Sequence, residues 1–77
     1  MKHRTIVHTI ENEGREIEFR ISSRAYDRKS PAPVLVGYVK VKEGHLRRFR
    51  YTLEMAREIW VEYMVAGWKH TNTREEG

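Results

Sequence analysis

The sequence predicts an α+β domain: an antiparallel β-meander of three to four strands with one C-terminal amphipathic helix packed on one face, in the order β-β-β-β-α. Two patterns and one absence predict it. Apolar and polar residues alternate through the first part of the chain, and a helical period takes over after Thr52. No cysteine is present to staple an irregular scaffold.

Thr5 to Ile10 alternates and is rich in β-branched residues, and Glu11-Asn12-Glu13-Gly14 follows as a turn, so a first hairpin is expected. The next segment puts Ile17, Phe19 and Ile21 on one face and Glu16, Glu18, Arg20, Ser22 and Arg24 on the other, the pattern of a strand with one wet side. Asp27 to Pro33 holds two prolines among charged and small residues and reads as an exposed connection. Val34 to Lys42 is valine-rich and extended, and Glu43-Gly44 offers a tight turn into a fourth strand, Leu46 to Tyr51.

Two registers are open for this second hairpin. A two-residue loop sets Tyr38 opposite Phe49. A three-residue loop sets Val39 opposite Phe49 and turns Tyr38 outward with Lys40, Arg48 and Arg50. The second is preferred because it leaves fewer cations facing the core, and Phe49 and Tyr51 are core in either. Gly37 marks a bulge or a close approach of backbone.

Thr52 has the chemistry of an N-cap, Glu54 complements the helix dipole, and Gly67 fits the left-handed residue that ends a helix running from Leu53 to Ala66. Trp68 would then pack back on Tyr63. At 100° per residue, Leu53, Met55, Ala56, Ile59, Trp60, Tyr63 and Met64 fill one half of that helix, which lies on the sheet. Residues 1–69 form one domain. The stretch 70–77, polar and without periodicity, reads as a flexible C-terminal tail.

A chain of 77 residues buries only about 60% of its unfolded surface, which leaves little room for a deep catalytic cleft. Without cysteine there is no disulfide framework, thiolate zinc site, iron–sulfur cluster or thiol nucleophile, and the cytoplasm is the expected compartment. The longest apolar runs, Val34 to Val36 and Ile59 to Val61, fall far short of the roughly 20 residues that cross a bilayer. No catalytic residues, cofactor or metal are assigned: no Ser–His–Asp order, phosphate loop or HExxH element occurs. His3 and His8 fall on opposite faces of a strand, and His45 and His70 in a turn and the tail.

The net charge of +4 is unevenly placed. Residues 34–52 carry +4 and the helix −2, with Glu54, Glu58 and Glu62 as an outer ridge. The sheet face away from the helix should therefore present Arg20, Arg24, Lys40, Arg48 and Arg50 with Tyr38 among them. Cations that neutralise phosphates beside a ring that stacks on a base suit single-stranded nucleic acid. Glu16 and Glu18 are also placed to pair with these arginines across strands, which would make the face merely solvated.

Val61 and Val65 lie on the helix side away from the core. They are the expected contact strip of the alternative, a protein-docking accessory subunit or homodimer with an acidic or apolar partner. In topology alone, strands followed by a helix ending in Ala66-Gly67-Trp68 resemble small nucleic-acid binders such as the WGR domain. Where that family has its tryptophan–glycine–arginine strand this chain reads Val36-Gly37-Tyr38-Val39, so no membership is assigned and no site residue is carried over.

Overall fold

A computed structural model describes residues 4–39 and 47–76. Strands β1 (Thr5–Asn12) and β2 (Arg15–Ser22) pair along their whole length, from Thr5 opposite Ser22 to Asn12 opposite Arg15. The turn between them is Glu13-Gly14, with φ of 51° and 78°. Positive values at both positions are what a type I′ turn requires, and its twist matches that of the strands. Gly14 adopts this conformation freely, whereas Glu13 bears a cost of about 1 kcal/mol.

A single 3-10 turn, Ser23–Tyr26, follows β2. The Ser22 side chain caps it by accepting from the Arg24 N–H at 3.1 Å, and the Arg24 carbonyl accepts from Ala32 N–H at 3.0 Å, which folds the proline-containing connection back on itself. Strands β3 (Val34–Tyr38) and β4 (Arg48–Tyr51), helix α1 (Leu53–Val65) and strand β5 (Lys69–Glu76) complete the chain. The sheet is antiparallel throughout, in the order β4-β3-β2-β1-β5. Because β4 and β5 are its two edges, α1 carries the chain from one edge to the other across a single face.

Both ends of α1 are built as the sequence indicates. Thr52 Oγ1 accepts from Met55 N–H at 3.2 Å. At the other end Gly67, with φ 103°, lets its N–H reach Met64 O and the Trp68 N–H reach Tyr63 O, the paired bonds of a Schellman motif. The accompanying ring contact, Tyr63 on Trp68, has centroids 5.1 Å apart.

Under the helix lie Ile10 and Ile17, Phe19, Val34, Val36, Ala25 and Ala56, with Ile21, Leu53, Trp60 and Tyr63 packed around them. Phe19 is central, meeting Trp60 at 5.1 Å and Tyr63 at 6.2 Å, both edge to face. The other face of the sheet is not simply wet. Val7 and Thr9 alternate with the core-facing Ile6, His8 and Ile10 and so point away from the helix. They are nevertheless buried, Val7 completely.

Four expectations are corrected. Residues 70–77, expected as a frayed tail, carry β5 up to Glu76. The strand lacks apolar alternation because its stability comes from main-chain pairing with β1 and from polar contacts on both faces. Tyr38 is not turned outward with Arg48 and Arg50. The observed pairs are Val36 with Phe49 and Gly37 with Arg48, so residues 38–47 lie between the paired positions and neither short-loop register applies. The expected Glu43-Gly44 turn lies outside the described residues. Phe49 does face the helix side, but it sits on an edge strand and stays 55% exposed, and Met55 is likewise exposed on the helix flank. Gly37 is explained by close approach: a Cβ there would lie 2.5 Å from the Arg47 carbonyl oxygen.

Candidate functional site

The face away from the helix is held by four charges. Arg20 on β2 pairs with Glu76 on β5, and Arg74 on β5 pairs with Glu18 on β2 at 3.3 Å, so the two bridges cross over β1 from both sides. Arg74 also meets Glu76 at 3.2 Å, and Arg20 Nε lies 3.3 Å from Glu18 Oε2, off the N–H line and thus an ion contact without a hydrogen bond. Arg20 and Arg74 are the cross-strand neighbours of Val7 on its two sides, so their stems roof it. The hydrogen bonds from Arg20 and then Arg74 hold the Glu76 carboxyl below its ordinary pKa. The hydrogen bonds that Arg74 donates to Glu18 and Glu76 raise its own pKa.

This disperses the expected cationic surface. Arg20 is a paired structural residue whose side chain is only 20% exposed. Arg24 sits on the 3-10 turn, off the sheet. Tyr38 shares the helix side of the sheet with Phe49; burial, then the phenols of Tyr38 and Tyr51 and the Glu62 carboxylate, raise the Tyr63 pKa. Lys40 lies outside the described residues. Only Arg48 and Arg50 stand together, exposed on the open face of β4. Val61 and Val65 are exposed as expected, at 58% and 83%.

A cationic surface does form elsewhere. At the end of the molecule where the 27–33 connection meets the β4–α1 junction, a cleft of about 930 Å³ is lined by Arg28, Arg50 and Arg57 together with Tyr26 and Tyr51. None of the three arginines is ion-paired with another described residue. Asp27 is the nearer of the two carboxylates in the lining to the connection's backbone: its Oδ1 accepts from Lys29 N–H at 2.9 Å, and Glu54 is the other. Sequence spacing gives no hint of this grouping, since the 3-10 turn (Tyr26), the 27–33 connection (Arg28), an edge strand (Arg50 and Tyr51) and the first turns of the helix (Arg57) each supply a part.

The second concavity lies between α1 and the β1–β2 part of the sheet. It has a volume of about 400 Å³ and is walled by Phe19, Ile21, Leu53, Trp60 and Val61, with His8, His70 and Arg57 as its polar groups. Pairing of β5 with β1 brings His8 and His70 to 5.4 Å, each edge-on to Trp60 at 5.8 and 5.4 Å. Thr73 Oγ1 connects them, 3.0 Å from His8 Nδ1 and 2.8 Å from His70 Nε2.

The Asn72 carbonyl oxygen, 2.9 Å from the same His70 nitrogen, can only accept, so His70 Nε2 carries the hydrogen. Thr73 Oγ1 then accepts from His70 and also meets His8 Nδ1, where the His8 tautomer sets which group donates. Burial first, and the nearby His70 second, lower the His8 pKa. With β5 read as a tail, His70 could not be placed beside His8 from the sequence. Among the described residues there is no group of three or more potential metal-binding side chains, and no helix is long and apolar enough to cross a membrane.

No family model matches the chain, and no curated protein or solved structure matches it.

Proposed function

We propose that the protein is a small non-enzymatic binding module for single-stranded nucleic acid, contacting it at the end of the molecule where the 27–33 connection meets the helix. One observation carries the reading. Arg28, Arg50 and Arg57 border a single cleft with two tyrosines, and Tyr26 is largely exposed there. Guanidinium groups without a carboxylate partner among the described residues are available to phosphates, and a free phenol ring stacks on any base, so recognition is mostly of backbone with little base discrimination. The contact surface thus differs from the sheet face: of the cations first expected there, Arg50 belongs to the cleft and Arg48 neighbours it on the same strand.

Titration of labelled single-stranded DNA, single-stranded RNA and duplex tests this. Three neutralised phosphates give a log–log salt slope of about −2 on single strands, an affinity loss of about 100-fold for a tenfold rise in salt. An Arg28→Glu/Arg50→Glu double variant weakens binding at least about tenfold, and Tyr26→Ala costs about 1–3 kcal/mol. Absence of binding at low salt, or equal affinity for the double variant, sinks the proposal.

The exposure of Val61 and Val65 favours a second reading, a protein-docking subunit that associates through the apolar strip beside the Glu54–Glu58–Glu62 ridge. It predicts a mass in sedimentation that rises with concentration and returns to one chain in a Val61→Glu/Val65→Lys variant of unchanged helix content. A single chain at all concentrations removes the homodimer form of this reading.

A further inference from the structure

We infer that the groove between α1 and the β1–β2 sheet is a binding site for a small amphipathic anion: an aromatic or acyl body ending in a carboxylate. The inference stands on the shape and chemistry of the groove itself, which shares Arg57 and Tyr26 with the cleft proposed for nucleic acid. A concavity of about 400 Å³ lies in the range of about 300–1,000 Å³ that small-molecule sites occupy, and like them it is mostly apolar with a few convergent polar groups.

The wall takes an apolar body. Trp60, only partly buried, presents ring surface above the nearly fully buried Phe19, and the exposed Val61 lines the groove beside it. The polar groups choose the sign of the ligand. They are Arg57, His8, His70 and the Tyr26 phenol, and no carboxylate is among the lining residues. Arg57 carries the permanent positive charge. His8, with Nδ1 engaged by the Thr73 hydroxyl, has Nε2 left over, a second donor in the tautomer that carries its hydrogen there. Donors with no charged acceptor fit an anionic head and leave a cationic one unpaired. A nucleobase fits poorly, because the apolar walls would leave the donors and acceptors of its edge unsatisfied.

The test is nuclear magnetic resonance titration of the whole chain with indoleacetate, phenylbutyrate and decanoate, each against its neutral amide. Saturable shifts are expected at the Trp60 indole N–H, His8 and Val61, with a dissociation constant of about 1 mM or tighter for at least one acid. The acid should bind at least about fivefold more tightly than its amide. Val61→Trp, a change at an exposed position, blocks the groove and abolishes binding while leaving a dispersed spectrum.

Arg57→Gln removes the preference for acid over amide yet keeps the apolar contacts, so it reports on the charge even where the tryptophan variant fails to fold. Failure of all three acids to give saturable shifts at these residues overturns the inference. Equal binding of acid and amide, or binding unaffected by Val61→Trp, does so as well. Nucleic-acid binding through Arg28 and Arg50 is unaffected by Val61→Trp, so the two proposals fail separately.

Discussion

The two faces of the sheet solve the same problem with opposite materials. Beneath α1, aromatic rings and branched aliphatics cover Phe19 and its neighbours, yet the helix covers that face incompletely and leaves a groove. On the other side no element among the described residues covers the sheet, yet Val7 is fully buried, because Arg20, Glu18, Arg74 and Glu76 close over β1. Charged side chains there do the work of a missing layer. Counting cations therefore misjudges that face, since Arg20, which looks available, is engaged in holding β5 in place.

The sharpest test of this contrast deletes one buried side chain from each face. Phe19→Ala should cost about 3–5 kcal/mol in denaturant unfolding, a large part of what a domain this size has. Val7→Ala should cost about 2 kcal/mol, the value for a side chain that is closed off from water. A Val7 cost below about 0.5 kcal/mol would mean that the charged roof does not exclude solvent.

Breaking the roof comes next in size. Arg74 and Glu76 are partly exposed, so Arg74→Gln should cost less than either deletion above, with a measurable coupling to Glu18→Gln in a double-mutant cycle. The loss should be local: amide exchange should quicken along β5 and leave β2 and β3 protected. Uniform loss of protection would show the bridges acting on the whole fold rather than on that strand.

The smallest effect separates the faces by pH. His8 has a folded pKa below its ordinary 6.5, so the fold prefers the neutral ring; that stability is complete above pH 6.5 and is lost as pH falls through the lowered value. Glu76 is held below 4.5, so its contribution is complete above pH 4.5 and is lost as pH falls through its own lowered value. Acid should therefore loosen the helix-covered face before the charged one. Melting temperature against pH should show two steps, the first flattened by His8→Gln and the second by Glu76→Gln. A single step unaffected by His8→Gln would contradict the ordering.

Local signals were legible where one residue type had one job. Ile17, Phe19 and Ile21 announce a strand, and Thr52, Glu54 and Gly67 announce the ends of a helix, because caps and alternation are short-range physics. What escaped depends on pairing across the whole chain. Thr73 and His70 face His8 while Arg74 and Glu76 face Arg20, so β5 is polar on both sides and has no period for a reader of sequence to find. The exposure of Val61 and Val65 was legible from the helical wheel. The arginine cleft was not, since Arg28, Arg50 and Arg57 belong to three different elements.

The union of β5 with β1 also sets an order of assembly. The β1–β2 hairpin closes over a two-residue turn, whereas the contact of His8 with Thr73 joins positions 65 apart. Long closures are entropically slow, so β2, β3 and β4 can zip together well before the helix has returned the chain to the far edge. Until it does, β1 carries an open row of amides on a strand that bears Ile6 and Ile10, a template for another copy's strand. Folding speed and aggregation are thus tied to the same late event, the arrival of a strand with almost no apolar residue of its own.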